Sequence, residues 1–225
     1  MKYEKNNWTF SNGVAEVFDD HVKNSVPLYD LFQNQIASMS VFFSQQNTKI
    51  IDIGTSTGSL ISKISEHNYH RNIEFIGIDI EKEMIDVCKK KSSNITFFTA
   101  DAIDFDYTNS SVITSMLSLQ FIEVQKRKIL LNKIYNELND GGALFIIEKV
   151  RTSIPEINDM YNDLYYDFKR ESFSSDEIFD KNQSLRGVMK PITMNENIEI
   201  LKSAGFKKID VFMKIDNFIG ILAIK

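Results

Sequence analysis

The sequence predicts an α/β fold built on a doubly wound, mostly parallel β-sheet. Short apolar, β-branched runs recur along the chain, helical patterns of apolar residues separate them, and two closing runs stand two residues apart. Strands separated by helices of this length form right-handed βαβ units, and the resulting sheet is covered on both faces. The closing runs, 207–215 and 218–225, predict a hairpin, so one closing strand must run antiparallel.

Five apolar runs predict the other strands, in the order in which the chain presents them. Ile, Val and Phe dominate these runs, as is typical of buried strands. The runs are 49–54, 74–79, 95–101, 111–119 and 143–147. The helical pattern before the fifth strand ends at Asn139-Asp140-Gly141-Gly142, which predicts a helix end followed by a turn.

Helical patterns also flank the predicted sheet. An apolar stripe follows Pro27 and extends to Phe43, and a second helix is predicted to begin at Pro155. Two more helical segments, 174–186 and 195–204, precede the closing hairpin.

Length and composition predict one soluble, cytoplasmic domain. The 225 residues contain one cysteine, which excludes an intramolecular disulfide and favours a reducing compartment. No signal peptide or membrane span is apparent, and the net charge of −5 argues against a main role in binding nucleic acid. We expect a single domain over 1–225, with an N-terminal helical cap at 1–48 and a substrate-covering helical region at 155–204.

Three predicted strand ends carry residues suited to a nucleoside. The first ends in a D-x-G-x-x-x-G loop from Asp52 to Gly58, where Gly54 lets a ligand approach the backbone. The second ends in Asp79, whose carboxylate can accept both hydroxyls of a ribose. The third ends at 100–102, where a carboxylate and a backbone N–H can contact an adenine edge. Because ligands bind beyond the carboxyl ends of such strands, these residues predict a nucleoside-bearing cofactor.

The loop also narrows the choice of cofactor. It lacks the G-x-G-x-x-G fingerprint of NAD and FAD sites, since Ser56 stands where the second glycine would fall, and the chain has no P-loop motif. A cofactor with ribose and adenine but no pyrophosphate fits better, which favours S-adenosylmethionine. The three histidines are too scattered to predict a metal site.

The sheet pattern with its closing hairpin resembles that of the class I S-adenosylmethionine-dependent methyltransferases, whose seven-stranded sheet has an antiparallel last strand. A closer resemblance, to the carboxy-S-adenosyl-L-methionine synthase family, covers nearly the whole chain. It rests on Trp8-Thr9-Phe10, 14–18, Ser25-Val26-Pro27, Tyr29, Leu119-Gln120-Phe121, 133–135, 141–144, Glu148-Lys149, Asp167-Phe168-Lys169-Arg170, Val188-Met189 and Ala204-Gly205-Phe206.

The resemblance implies an activity and partners. Enzymes of that family move carbon dioxide from prephenate onto the methyl carbon of S-adenosylmethionine. A partner enzyme then uses the product, carboxy-S-adenosylmethionine, to modify wobble uridine in tRNA. For this chain the resemblance implies a small-molecule substrate, a homodimer, and no direct binding of nucleic acid or membrane.

The resemblance also implies the surroundings of the cofactor. The implied residues are Tyr29 at the sulfonium; Gly54, Thr55 and Ser56 along the amino-acid portion; Asp79 at the ribose with Ile80 beside it; and Asp101 and Ala102 at the adenine. The family has Cys at the position of Thr55. It has Asn at the position of Met116, so this chain lacks a polar contact near the reacting group.

The largest departure from the family lies at Asn182. The family carries a Lys-Arg pair here, and its Arg would bind the additional carboxylate of carboxy-S-adenosylmethionine. A neutral amide cannot supply the counter-charge of a bidentate guanidinium, and losing one partner of a buried charge pair costs roughly 3–5 kcal/mol. Either Arg186 or Lys190 reaches into the pocket in its place, or both are solvated.

Three functions therefore stay open. Methyl transfer to a small acceptor, which needs no arginine at position 182, is the first; carboxy-S-adenosylmethionine synthesis is the second; a non-catalytic S-adenosylmethionine-binding subunit is the third. Tyr165 either lines a substrate pocket or packs as core, and the pair Lys169-Arg170 either binds an anionic substrate or lies at the surface. No catalytic base is evident in the sequence.

Overall fold

The computed structural model describes residues 14–69 and 71–225 and contains a seven-stranded sheet. The strand order is β3-β2-β1-β4-β5-β7-β6; β1 to β5 pair in parallel, and β7 runs antiparallel to both of its neighbours. The predicted doubly wound α/β fold is therefore confirmed. The strands are β1 (Thr48–Ile53), β2 (Ile73–Asp79), β3 (Thr96–Thr99), β4 (Ser110–Met116), β5 (Leu138–Lys149), β6 (Lys208–Ile215) and β7 (Phe218–Ile224).

Eight α-helices accompany the sheet in the described part of the chain. The segment Trp8-Thr9-Phe10 lies outside the described residues. No described helix has the length and apolar character needed to cross a membrane. The helices are α1 (Val14–Lys23), α2 (Tyr29–Phe43), α3 (Ser59–His67), α4 (Lys82–Lys91), α5 (Val124–Glu137), α6 (Pro155–Arg170), α7 (Ser175–Leu185) and α8 (Met194–Ala204).

Two strand boundaries differ from the prediction. The fourth strand ends at Met116 because Leu117 takes a left-handed conformation (φ 59°) and a 3-10 turn follows it. The fifth strand begins at Leu138, so the predicted turn at 139–142 is part of β5. A register shift between Ser110 and Val112 of β4 accommodates these extra residues as an irregularity at the start of the strand.

The core lies on both faces of the sheet because side chains alternate along each strand. Ile51 packs in one cluster with residues of α5 and α8. Its neighbour Ile50 packs in the opposite cluster with residues of α2 and α3. Both isoleucines are fully buried, so the sheet is a rigid platform whose strand ends hold fixed positions.

Candidate functional site

A cavity of about 460 Å³ lies at the carboxyl ends of β1, β2, β4 and β5. Helices α1, α2, α6 and α7 contribute residues to its wall. One half is formed by the loop after β1 and by the acidic residues that follow β2 and β3. We call this the acidic half. The other end, which we call the lysine end, is lined by Lys149, Lys169 and Lys181.

The loop after β1 is shaped by residues in left-handed conformations. Gly54 has φ 65° and Ser56 has φ 53°. A Cβ atom on Gly54 would lie 2.0 Å from Oγ of Ser118, so only glycine fits. The backbone N–H of Thr55 donates to the carbonyl oxygen of Ile78 at 2.9 Å, which fixes the loop against β2. Gly54, Thr55 and Ser56 all line the cavity, as the sequence predicts.

Asp79 links the loop to the end of β2. Its Oδ2 accepts the backbone N–H of Ser56 at 2.9 Å, and its Oδ1 accepts that of Glu81 at 2.9 Å. Burial raises the pKa of Asp79, and these hydrogen bonds oppose the rise. The backbone N–H of Ile80 is a third donor to this carboxylate. Because a carboxylate has about four acceptor positions, about one remains for a hydroxyl group of a ligand in the cavity.

Asp52 and Tyr29 are further predicted residues that line the cavity. Burial raises the pKa of Asp52 to about 6, although Oγ1 of Thr114 donates to its Oδ1 at 2.6 Å and opposes the rise. Burial also raises the pKa of the Tyr29 hydroxyl, so this side chain is neutral at physiological pH. Tyr29 therefore offers an aromatic ring and an uncharged hydroxyl.

The remaining predicted cofactor residues are distributed along the same wall. Asp101 and Ala102 follow β3 and line the cavity; Oδ1 of Asp101 accepts the backbone N–H of Ile103 at 2.9 Å. Ile80 lies beside Asp79 with its side chain largely exposed, and Met116 lines the cavity at the end of β4. Gly58 does not line it: its φ of 79° and its position at the start of α3 give it a structural role in the turn.

The candidate substrate residues separate into two groups. Tyr165 and Asn182 line the cavity. The amide nitrogen of Asn182 donates to the hydroxyl of Tyr166 at 3.2 Å, so the residue at this position is a neutral, hydrogen-bonded amide. The ring of Tyr165 packs against that of Phe218 with centroids 5.6 Å apart.

The other cationic candidates lie outside the cavity lining. Arg170 is exposed and forms an ion pair with Asp167 at 2.7 Å. Arg186 is exposed at the end of α7, and Lys190 forms an ion pair with Glu123. The structure therefore places neither Arg186 nor Lys190 in the position of the missing arginine.

The lysine end is predicted only in part by the sequence: Lys169 is a candidate for binding an anionic substrate, whereas Lys149 and Lys181 are not. Nζ of Lys149 lies 3.8 Å from the ring centroid of Tyr165, and Nζ of Lys169 lies 5.5 Å from the same centroid. Burial lowers the pKa of Lys149 to about 7, that of Lys169 to about 8 and that of Lys181 to about 6. The charge of Lys169 contributes to the lowered pKa of the other two.

His21 of α1 completes this end of the cavity. Burial and, to a smaller extent, the positive charges of Lys181 and Lys169 lower its pKa to about 4. The imidazole is therefore neutral. Its ring lies 5.1 Å from that of Phe173, and its Nε2 is 3.4 Å from Oγ of Ser25. Lys149 could have been identified from the sequence by one signal, its position at the end of the fifth apolar run. Ligands bind beyond the carboxyl ends of such strands, which is the rule that identifies Asp79.

The chain is similar in sequence to proteins of one kind over its whole length. It is 40% identical to the carboxy-S-adenosyl-L-methionine synthase of Staphylococcus epidermidis over 229 aligned positions, which cover 100% of both chains. It is 38% identical to the enzyme of the same name from Nautilia profundicola, covering 96% of this chain and 94% of that one. Residues 50–142 match the sequence model of a methyltransferase domain.

Solved structures share the fold at lower sequence identity. The plantazolicin methyltransferase BpumL superposes with a TM-score of 0.67 at 15% identity, covering 93% of this chain and 90% of that one. Human N-acetylserotonin methyltransferase superposes with a TM-score of 0.58 at 18% identity, covering 94% of this chain and 53% of that one. The chain belongs to the carboxy-S-adenosyl-L-methionine synthase family, whose members share the class I S-adenosylmethionine-dependent methyltransferase fold.

Proposed function

We propose that this enzyme transfers a carboxyl group to S-adenosylmethionine and releases carboxy-S-adenosylmethionine. The observation that carries the proposal is the 40% identity to a carboxy-S-adenosyl-L-methionine synthase over the full chain. The alignment spans α6 and α7, which contribute to the wall of the cavity, and not only the common cofactor loop. The donor implied by the family resemblance is prephenate, and homodimer formation and a cytoplasmic location stay predictions.

The residues of the acidic half fit S-adenosylmethionine. When bound, this cofactor supplies a methyl carbon that is activated by the adjacent sulfonium. Asp79 keeps an acceptor position for a ribose hydroxyl, and the loop at Gly54 lets the amino-acid portion approach the backbone. The neutral ring of Tyr29 suits a sulfonium cation, because aromatic faces attract cations.

The other residues of the cavity act by orienting the donor and excluding water. Tyr165 and Phe218 provide an apolar wall, and the helices α1, α6 and α7 enclose it. Orientation of two bound reactants and removal of water are together large contributions to catalysis. As the ring of prephenate becomes aromatic, its ring carboxyl leaves as carbon dioxide and its ring hydroxyl leaves as hydroxide. The methyl group of S-adenosylmethionine loses one proton as its carbon bonds to the carbon dioxide, and that proton and the hydroxide form water. The expected co-products are therefore phenylpyruvate and water.

Methyl transfer to a small acceptor is the second candidate function. Asn182 favours it, because this neutral amide cannot act as the counter-charge for a new carboxylate. Met116 also favours it, since the position near the reacting group carries no hydrogen-bond donor. The positive charge at the lysine end favours carboxyl transfer instead.

Mass spectrometry of the small molecule that copurifies with the protein separates the two functions. We expect carboxy-S-adenosylmethionine, together with prephenate-dependent formation of the same compound by purified enzyme in vitro. Recovery of plain S-adenosylmethionine or S-adenosylhomocysteine, with no product formed from prephenate, would overturn the proposal and leave methyl transfer.

The cofactor assignment is tested with Asp79→Ala. Loss of a charge-assisted contact to a ribose hydroxyl is expected to weaken S-adenosylmethionine binding ~10- to 100-fold, measured by calorimetry. Asp86→Ala is the matched control, because Asp86 lies on the adjacent helix α4 and pairs only with Lys82 at the surface. Equal affinity of the Asp79 variant and the control would mean that the ribose lies elsewhere.

A further inference from the structure

We infer that Lys149 and Lys169 form an anion-binding subsite that holds a carboxylate of the second substrate. The two ammonium groups flank one aromatic ring, that of Tyr165, at 3.8 Å and 5.5 Å from its centroid. Lys181 lines the same end of the cavity from α7. The presence of an anion site is inferred from the geometry alone. The identity of its ligand, prephenate, rests on the proposed function.

The burial of these groups is the first argument. Lys169 is 4% exposed, although lysine is almost never fully buried unless it is paired. Within the described residues, neither Lys149 nor Lys169 forms an ion pair, and both face a cavity rather than a packed core. Placing like charges together without an acidic partner is unfavourable, and an anionic ligand would remove that cost.

Among the described residues, no carboxylate of the surrounding elements forms an ion pair with Lys149 or Lys169. α1 contributes the neutral imidazole of His21, and α6 contributes the hydroxyl of Tyr165. The acidic residue that acts on His21 is Glu177 of α7. Its Oε2 already accepts the backbone N–H and the hydroxyl of Ser174, at 2.9 Å and 2.8 Å, in the capping box of that helix.

The position of the subsite relative to Asp79 is the second argument. Asp79 ends β2 and Lys149 ends β5, and β1 and β4 lie between them in the sheet. Three inter-strand spacings place the two strand ends about 14 Å apart. The subsite is therefore separate from the acidic half, and an ammonium–carboxylate contact there orients a second molecule rather than the adenosine portion of the cofactor.

The subsite also supplies positive charge near Asn182, where the guanidinium of the family is absent. Lysine can bind carboxylate as a point charge, without the bidentate geometry of arginine. Two ammonium groups that approach from β5 and α6 supply positive charge to the same end of the cavity that Asn182 lines. Lys149 and Lys169 are then specificity-determining residues, because a neutral acceptor would leave their charges unpaired.

The test measures prephenate binding to protein saturated with S-adenosylhomocysteine, which lacks the reactive methyl group. We expect Lys149→Gln and Lys169→Gln each to weaken prephenate binding about 10- to 100-fold, measured by calorimetry, with unchanged affinity for S-adenosylhomocysteine. Lys149→Arg should retain most of the affinity. Lys214→Gln is the matched control, because Nζ of Lys214 lies 4.5 Å from the ring of Tyr161 on the same helix but outside the cavity lining.

Folding of the variants is checked by thermal melting, where removal of either buried ammonium is expected to leave the melting temperature unchanged or to raise it. Equal prephenate affinity in wild type, Lys149→Gln and Lys169→Gln would overturn the subsite, as would wild-type protein that binds neither prephenate nor phenylpyruvate. Lysine-dependent binding without formation of carboxy-S-adenosylmethionine would support the subsite and reject only the carboxyl transfer.

Discussion

Gly54 shows how a single residue shapes the cofactor loop. Its φ of 65° is unfavourable for other residues, and a Cβ atom there would meet Oγ and Cβ of Ser118 at 2.0 Å and 2.7 Å. Gly187 provides a comparison, because it has φ 78° but no atom lies within 4 Å of the place that a Cβ atom would occupy. The two glycines share a positive φ angle, which favours glycine, and they differ in the space available for a Cβ atom.

We expect Gly54→Ala to lower the free energy of unfolding by about 2–4 kcal/mol, and Gly187→Ala by only about 1 kcal/mol. The difference is the steric cost at Ser118, and urea denaturation measures it. In a Ser118→Gly background, Gly54→Ala should cost no more than Gly187→Ala. If the two alanine variants unfold at the same urea concentration in the wild-type background, the close approach to Ser118 has no energetic consequence.

Some residues of the site can be predicted from the sequence, and others cannot. Asp79 could be predicted because it follows a buried run and belongs to a set of polar strand ends. Lys149 also follows a buried run, but its neighbours Lys169 and Lys181 lie on different helices, and no periodicity connects them. Their proximity is produced by the packing of α6 and α7 over the sheet, which a single sequence does not encode in any local pattern.

At the scale of the element, α1 covers part of the cavity, and Asp19 attaches it to the loop beneath. Phe18, His21 and Val22 of this helix line the cavity. Asp19 accepts a hydrogen bond from Oγ1 of Thr57 in the cofactor loop, and its Oδ2 pairs with Nζ of Lys91 at 2.8 Å. Its carboxylate therefore connects the covering helix to the loop beneath it and to α4.

We expect Asp19→Asn to accelerate dissociation of S-adenosylmethionine ~2- to 10-fold, because a partly exposed ion pair and one hydrogen bond to the loop are weakened. Stopped-flow displacement measures the rate. Asp20→Asn is the matched control, since Asp20 is exposed on the same helix. An unchanged dissociation rate in the Asp19 variant would show that α1 does not restrict release.

Elements with strong patterns were predicted well, and their ends less well. The run at 74–79 became β2, and the joint Asp216-Asn217 became the hairpin between β6 and β7. The predicted beginning of β5 was wrong, because residues 139–142 have the composition of a turn but lie within β5, between the pairs that Leu138 and Ala143 form with β4. Tertiary pairing there overrides local preference.

At the scale of the whole molecule, the lysine end makes both stability and substrate binding depend on pH. As the pH rises, stability should increase and prephenate binding should weaken. Lys149 has a pKa of about 7 in the folded protein, against an ordinary value of 10.5. Below pH 7 its ammonium is charged in both states and destabilises the folded one. As the pH rises from about 7 to 10.5, the folded state loses this proton first, so its stability increases.

We therefore expect Lys149→Met to raise the free energy of unfolding at pH 6.5 and to have a smaller stabilising effect at pH 9.5. Urea denaturation of both proteins at the two pH values measures the difference. Prephenate binding should weaken over the same rise in pH, because the ammonium that holds the carboxylate is lost. A Lys149→Met effect that is equal at both pH values would contradict the lowered pKa.

The position of β7 has a consequence for how the protein is made. β7 follows β5 by about 70 residues in the chain, yet it covers the edge of β5 that carries the buried run 143–147. A ribosome that adds 5–20 residues per second needs roughly 3–14 s to reach β7. During that interval nascent β5 presents an unpaired apolar edge, the kind of surface that recruits chaperones or other nascent chains. The synthesis of β7 thus ends a period in which the middle of the sheet is open to wrong partners.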